Sequence, residues 1–245
     1  MDYILVDQYS APENLDWLSE KPLMMADSWV CFDGFRDIPI TEERPVEKNG
    51  FITFGTLNNP YKYTPKCIAA WSAVMREVED SQFLLVRPEA DSTILRSMLQ
   101  KEFGKNGIGP ERINFFNNYH RPEPHFHYYN LIDMSLDTFP LTGGTTTCDA
   151  MWMGCPVISL IGPGMHQRIS YALLEHAGCG ELACRSFEEY LGRAVMLAND
   201  VTSLREYRRN LRPALLNSPL CQGERFARNF EAAISGAYED YLKAQ

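Results

Sequence analysis

The chain has 245 residues, 45% of them apolar, enough for one large hydrophobic core or two small ones. Its 23 Lys and Arg against 32 Asp and Glu leave a formal charge of −9 with no basic cluster, which argues against nucleic acid or an anionic membrane as a partner. No run approaches the roughly 20 apolar residues of a membrane span.

The first fifteen residues contain Asp2, Asp7 and Glu13 and no basic start, so no secretory leader is expected. The seven cysteines include no C-x-x-C pair and several sit in apolar runs. Reduced thiols in a cytoplasmic protein are the expectation, with zinc and redox roles disfavoured by the spacing.

In chain order, residues 1–49 do not read as a complete folding unit. A short strand over DYILVD is followed by Pro12, Pro22, Pro39 and Pro45 and by no long periodic segment. This stretch is expected to be a linker or the tail of a preceding domain. From residue 50 to 245 the pattern becomes regular. GFITFG reads as a strand, and Thr64 and Pro65 open a helix whose core face carries Ile68, Trp71, Met75 and Val78. Strands follow at 83–86, 113–116, 132–136 and 157–161. Helices are expected at 92–103, 124–131 (short), 145–153, 168–176, 187–198, 201–216 and 224–241. The last carries an apolar stripe of Phe226, Phe230, Ile234, Ala237 and Tyr241, suited to self-association. Short apolar strands alternating with helices predict an α/β fold, a Rossmann-like parallel sheet covered by helices on both faces.

Ligands of such sheets sit at the carboxyl ends of the strands. Three loops leave those ends with polar content: 57–63, 117–125 and 138–147. The first holds Asn59 and one cation, Lys62, which is either a diphosphate partner or a solvated lysine. The second leads into His120, His125 and His127, three of the five histidines. They invite a metal reading, but no carboxylate or cysteine completes a familiar site, and a plain surface loop is the alternative. The third runs through Gly143 and Gly144 into a helix whose first turn holds Thr145, Thr146 and Thr147, with Asp149 next. A helix N-terminus offers free N–H groups and about half a positive charge. The stretch is therefore a diphosphate cradle, with Asp149 available to a ribose hydroxyl, or a threonine-capped helix after a tight turn. G-x-G-x-x-G and G-x-x-x-x-G-K-[ST] are both absent, against a dinucleotide-binding dehydrogenase and a P-loop ATPase.

The segment LDTFP…GGTTTCDAMWMGCPV closely resembles the nucleotide-sugar segment of the O-GlcNAc transferase family, glycosyltransferase family 41. FGTLNNPYKYTP, Phe54 to Pro65, matches that family's F-G-[ST]-[FL]-N-N-x-x-K-[IY]-x-P. The pattern H-L-x-x-Y-x-x-x-D-x-x-L-D-T matches His125, Tyr129, Asp133, Leu136, Asp137 and Thr138, with Phe126 in place of Leu. Ser19-Glu20-Lys21 and Asp27-Ser28-Trp29 match upstream, so the resemblance covers Asp2 to Leu242.

The resemblance implies the C-terminal half of a GT-B glycosyltransferase. It implies Lys62 on the pyrophosphate, as the catalytic residue, and Asn59 facing the nucleotide where animal enzymes have Gln. His125 would lie against base and ribose, and Thr145, Thr146 and Asp149 on phosphates and ribose. Gly144 stands where animal members carry a histidine. It further implies an inverting protein O-glycosyltransferase using UDP-GlcNAc or a related UDP-sugar on Ser or Thr. No metal or cofactor is expected, and the partners are an upstream catalytic half, TPR repeats and a protein acceptor. A non-catalytic sugar-nucleotide module and a nucleotide-sugar epimerase are the competing readings.

Overall fold

The computed structural model describes residues 2–34, 38–119 and 121–243. Strands β1 (Tyr3–Val6) and β2 (Lys21–Met24) form a separate parallel pair. The helix α1 (Pro45–Asn49) precedes the main sheet. That sheet comprises β3 (Thr53–Thr56), β4 (Gln82–Val86), β5 (Ile113–Phe116), β6 (Met134–Leu136), β7 (Val157–Leu160) and β8 (Ala183–Cys184). All neighbours are parallel, in the order β5-β4-β3-β6-β7-β8. This is the doubly wound order in which the chain starts at the centre, builds one edge, then returns to build the other.

The central strands are buried along their length, as a sheet covered on both faces requires. Gly55 is needed in β3 because a Cβ there would lie 2.7 Å from the carbonyl oxygen of Leu84. The covering helices are α2 (Pro65–Glu77), α3 (Thr93–Lys105), α4 (Thr145–Trp152), α5 (Ile169–His176), α6 (Phe187–Ala198), α7 (Val201–Asn217) and α8 (Gly223–Lys243). α2 packs on α3 and α6, while α4 packs on α5 and α7.

Local chemistry sets most helix starts. Thr64, Ser92, Ser186 and Asp200 each accept a bond from an N–H in the following turn, and each such cap contributes about 1 kcal/mol. The expected face of α2 is buried at Ile68, Trp71 and Met75, with Val78 only partly covered. Trp71 stacks on Phe83 at 5.0 Å and on Phe103 at 6.5 Å, joining helix, sheet and α3 in one core. Two of the four arginines of α7 point inward, while Arg205 and Arg209 are exposed. Arg208 is 3% exposed and donates to the carbonyls of Met153 and Thr41, and Arg212 to those of Trp152 and Ile38.

Two strands escape sequence periodicity. β8 has two residues, and β2 contains Pro22, which argues against a strand except at an edge. The segment before residue 50 is bonded to the domain at several buried points. His176 Nε2 donates to Asp7 at 2.8 Å, Arg168 Nε to the Tyr9 carbonyl at 2.9 Å, and Arg44 is buried against Asp133. All seven cysteines are free thiols, and five are buried. Among the described residues no helix is long and apolar enough to cross a membrane.

Candidate functional site

The strand order reverses between β3 and β6, which opens a crevice at their carboxyl ends. The loop after β3 and the loop after β6 face each other across it. Lys62 ends a short 3-10 turn, Pro60–Lys62, and its Nζ donates to the Thr142 carbonyl at 2.8 Å. Partial burial pushes the Lys62 ammonium below its ordinary pKa, against the charge of Asp137. Thr64 adds a second tie, its hydroxyl donating to the Phe139 carbonyl at 3.1 Å.

Asn58 makes the deepest connection. Its Nδ2 donates to Asp137 Oδ1 at 3.1 Å, and its Oδ1 accepts the Thr146 hydroxyl at 2.8 Å. Asp137 is fully buried, and burial pushes its carboxyl up against hydrogen bonds that favour the charged form. Gly143 N–H and Thr138 N–H also donate to its Oδ1, each at 2.8 Å, and Ser159 to its Oδ2 at 2.7 Å.

Gly143 is sealed in. A Cβ there would lie 2.3 Å from Thr147 Oγ1 and 3.0 Å from Asp137 Oδ1. Its neighbour Gly144 is open: a Cβ added there would meet only Ile169 Cγ2, at 3.7 Å. Gly144 is also the N-cap of α4, so this helix starts with no side-chain cap. The threonine-capped alternative is therefore not what is seen. The N–H groups of Thr147 and Cys148 turn back to the Gly144 carbonyl. Those of Thr145 and Thr146 are left directed out of the helix end. The three threonines have different surroundings. Thr145 is exposed at the mouth, Thr146 is bound to Asn58, and Thr147 is buried and shares a 2.8 Å hydrogen bond with Ser170. Thr147 thus shapes the loop from behind.

The histidine loop reaches the same helix from the other side. His125 Nε2 donates to Asp149 Oδ2 at 3.0 Å; the imidazole is about half exposed and the carboxylate buried. Tyr129 OH donates to the Thr146 carbonyl at 2.8 Å. A cleft of about 250 Å³ opens here, lined by Phe32, Gly34, His125, Phe126, Thr145, Asp149 and Trp152. Four aromatic rings and two polar side chains suit a heterocycle carrying hydroxyls. His127 instead packs edge-on against Tyr128, and His120 lies outside the described residues. Among the described residues no three His, Cys, Asp or Glu side chains converge as a metal site.

The structure thus gathers Lys62, His125, Gly143, Gly144, Thr145, Thr146 and Asp149 around the start of α4, and of these His125, Thr145 and Asp149 line the cleft. The Asn59 side-chain oxygen instead accepts the N–H of Tyr61 at 3.0 Å, capping the turn that carries Lys62. Asn58 and Trp152 lie within the quoted motifs and Thr142 within the third loop, without a role assigned to them by the sequence, and Phe32 and Gly34 carry no sequence signal of a site. Adjacent amides at 58 and 59 are equivalent by composition, and only the turn decides which points inward. Phe32 and Gly34 arrive from a segment with no local pattern, held by the Phe32 N–H on the Leu220 carbonyl at 2.7 Å.

A profile described as Glycosyl transferase family 41 matches residues 46–230. The probable UDP-N-acetylglucosamine--peptide N-acetylglucosaminyltransferase SPINDLY of Oryza sativa subsp. japonica is 32% identical over 242 residues, 98% of this chain and 26% of that protein. The probable enzyme of the same description named SEC, of Arabidopsis thaliana, is 26% identical over 243 residues, 94% of this chain and 24% of that one. The chain spans about a quarter of the length of the curated relatives it matches. Among solved structures, a mutant of Thermobaculum terrenum O-GlcNAc transferase superposes with a TM-score of 0.82 at 28% identity, over 97% of this chain and 44% of that one. Sucrose-phosphate synthase from Thermosynechococcus elongatus shares the fold, with a TM-score of 0.60 at 14% identity over 99% of this chain and 59% of that one. The architecture is that of one Rossmann-like half of a GT-B glycosyltransferase, and the chain belongs to glycosyl transferase family 41.

Proposed function

We propose that this chain is the donor-binding half of an inverting protein O-glycosyltransferase that uses a UDP-sugar, UDP-GlcNAc or a relative, on Ser or Thr. One observation carries the reading: an ammonium, Lys62, and an uncapped helix N-terminus, at Thr145 and Thr146, meet at the same loop in the switch-point crevice. The diphosphate lies between them, the ribose beside Asp149 and His125, and the base in the aromatic cleft. The acceptor oxygen bonds to the anomeric carbon as the bond to the β-phosphate oxygen breaks. Negative charge grows on the leaving diphosphate, and Lys62 with the helix N-terminus stabilises it without a metal. The acceptor's proton goes to a base outside this chain. The plant relatives, described as probable UDP-N-acetylglucosamine--peptide N-acetylglucosaminyltransferases, support the peptide acceptor and the GlcNAc donor. TPR repeats upstream and residence in the cytoplasm complete the reading, the latter supported by seven unpaired thiols.

Titration calorimetry of the chain with UDP, GDP and their sugars, in the presence of EDTA, tests it. UDP and a UDP-sugar are expected to bind with EDTA present. Absence of binding by any of them removes the donor-site reading, and binding only after divalent metal is restored removes the metal-free one.

A further inference from the structure

Asp137 is fully buried and ionisable, an expensive combination unless donors surround its charged form. The placing of those donors is informative. Gly143 N–H belongs to the loop after β6, directly before the uncapped start of α4. Asn58 belongs to the loop after β3, four residues before Lys62. Through its other amide atom Asn58 holds the hydroxyl of Thr146, in the first turn of α4. Both lips of the crevice therefore hang on one carboxylate oxygen, Oδ1, while Oδ2 takes Ser159 from within the sheet. The main chain of the same residue is also held, its carbonyl accepting Trp71 Nε1 at 3.1 Å and its N–H donating to Ile158 at 3.0 Å.

We infer that Asp137, acting through Asn58, is a positioning residue for the diphosphate subsite: it fixes the separation between the Lys62 loop and the N-terminus of α4. This rests on the donor-site reading above. Asp137 touches no ligand in this scheme. It aligns three groups that do: the Lys62 ammonium and the N–H groups of Thr145 and Thr146. A β-phosphate needs them on one point, whereas a nucleoside monophosphate, held by the aromatic cleft and Asp149, needs them less. Geometry of this kind is felt steeply, since donors misplaced by about 1 Å lose most of a charge-assisted bond. The buried charge also favours the protonated form of Lys62.

The test compares UDP and UMP affinities of the full chain for the wild type and for Asp137→Asn, Asn58→Ala and Ser159→Ala, with thermal unfolding alongside. Asp137→Asn keeps the shape and loses the charge. It and Asn58→Ala should each lower UDP affinity about tenfold or more and change UMP affinity less than about threefold. Ser159→Ala, which removes the bond on the far oxygen, should leave UDP affinity within about threefold. Equal losses for UDP and UMP, or a Ser159→Ala loss as large as that of Asn58→Ala, overturn the inference and leave Asp137 a stability residue. If Asp137→Asn does not fold, the Asn58→Ala comparison decides alone. Failure of the wild type to bind UDP overturns the underlying donor-site reading instead, so the two failures are told apart.

Discussion

The ammonium of Lys62 sits 2.8 Å from the carbonyl oxygen of Thr142, a residue 80 positions further along the chain. The contact ties the loop after β3 to the loop after β6 and places a cation beside the start of α4. A neutral carbonyl is a weaker partner for an ammonium than a phosphate is. Lys62→Ala is therefore expected to weaken UDP binding by about 1–3 kcal/mol, roughly 5- to 150-fold. Calorimetry checks it, and unchanged affinity takes Lys62 out of the site.

Acid should release the N-terminal segment before the central sheet. Burial pushes Asp7 up, but His176 and the N–H groups of Ser10 and Trp29 outweigh it and hold Asp7 below the ordinary carboxylate value. Arg225 does the same for Asp27 and so ties α8 to the segment before residue 50. A carboxylate whose folded pKa lies below its unfolded value stabilises the fold above the unfolded pKa. That contribution disappears as pH falls through the folded value. Hydrogen exchange from pH 5 downward should therefore show residues 7–29 and α8 losing protection below about pH 4, while β3 and β6 keep theirs. Simultaneous loss of all these elements contradicts the ordering.

Arg208 should matter for stability out of proportion to its place on a helix surface pattern. It is 3% exposed, and burial lowers its guanidinium to about 10. It satisfies carbonyls of residues 41 and 153 and lies beside the buried Arg44 and Asp133. Arg208→Ala leaves those groups without a donor and is expected to cost about 3 kcal/mol. For a chain of this size that is a fall in Tm of roughly 6–12 °C, measurable by calorimetry. A change below about 2 °C shows the carbonyls find other donors.

The chain by itself is expected to bind a sugar nucleotide and to transfer nothing to protein. Transfer needs donor carbon, acceptor hydroxyl and a proton acceptor held together at near-attack distance. On the proposed reading the groups gathered here handle phosphate, ribose and base, and the relatives are about four times as long. The assay is UDP-GlcNAc with a Ser/Thr-rich acceptor, for this chain alone and joined to its upstream sequence. Robust transfer by the chain alone refutes the two-half reading.

Much of this fold is written locally. Thr64-Pro65, Ser92, Ser186 and Asp200 announce helices because a cap is a contact between residues three apart. β3 to β7 announce themselves because each is an apolar run long enough to span a buried sheet. Pairs distant in sequence carry no such mark. Phe32 against Trp152, and Asn58 against Asp137, exist only once the sheet has ordered its strands. The site divides the same way. Lys62, His125, Gly143 and Asp149 stand out in the sequence because motif and loop position coincide. Thr147 was legible as a helix-start hydroxyl but not as one turned toward Ser170, which comes from the next helix.

The two glycines at the start of α4 stand under opposite constraints. Any side chain at 143 collides with Thr147 and Asp137, whereas one at 144 meets open space at the helix mouth. The first position is frozen and the second is free to vary. A lineage, or a designer, can therefore place a side chain at the helix mouth by changing residue 144 alone, while the packing behind it is inherited intact. Side-chain variation at the helix mouth and the packing behind it are in this way uncoupled across a single peptide bond.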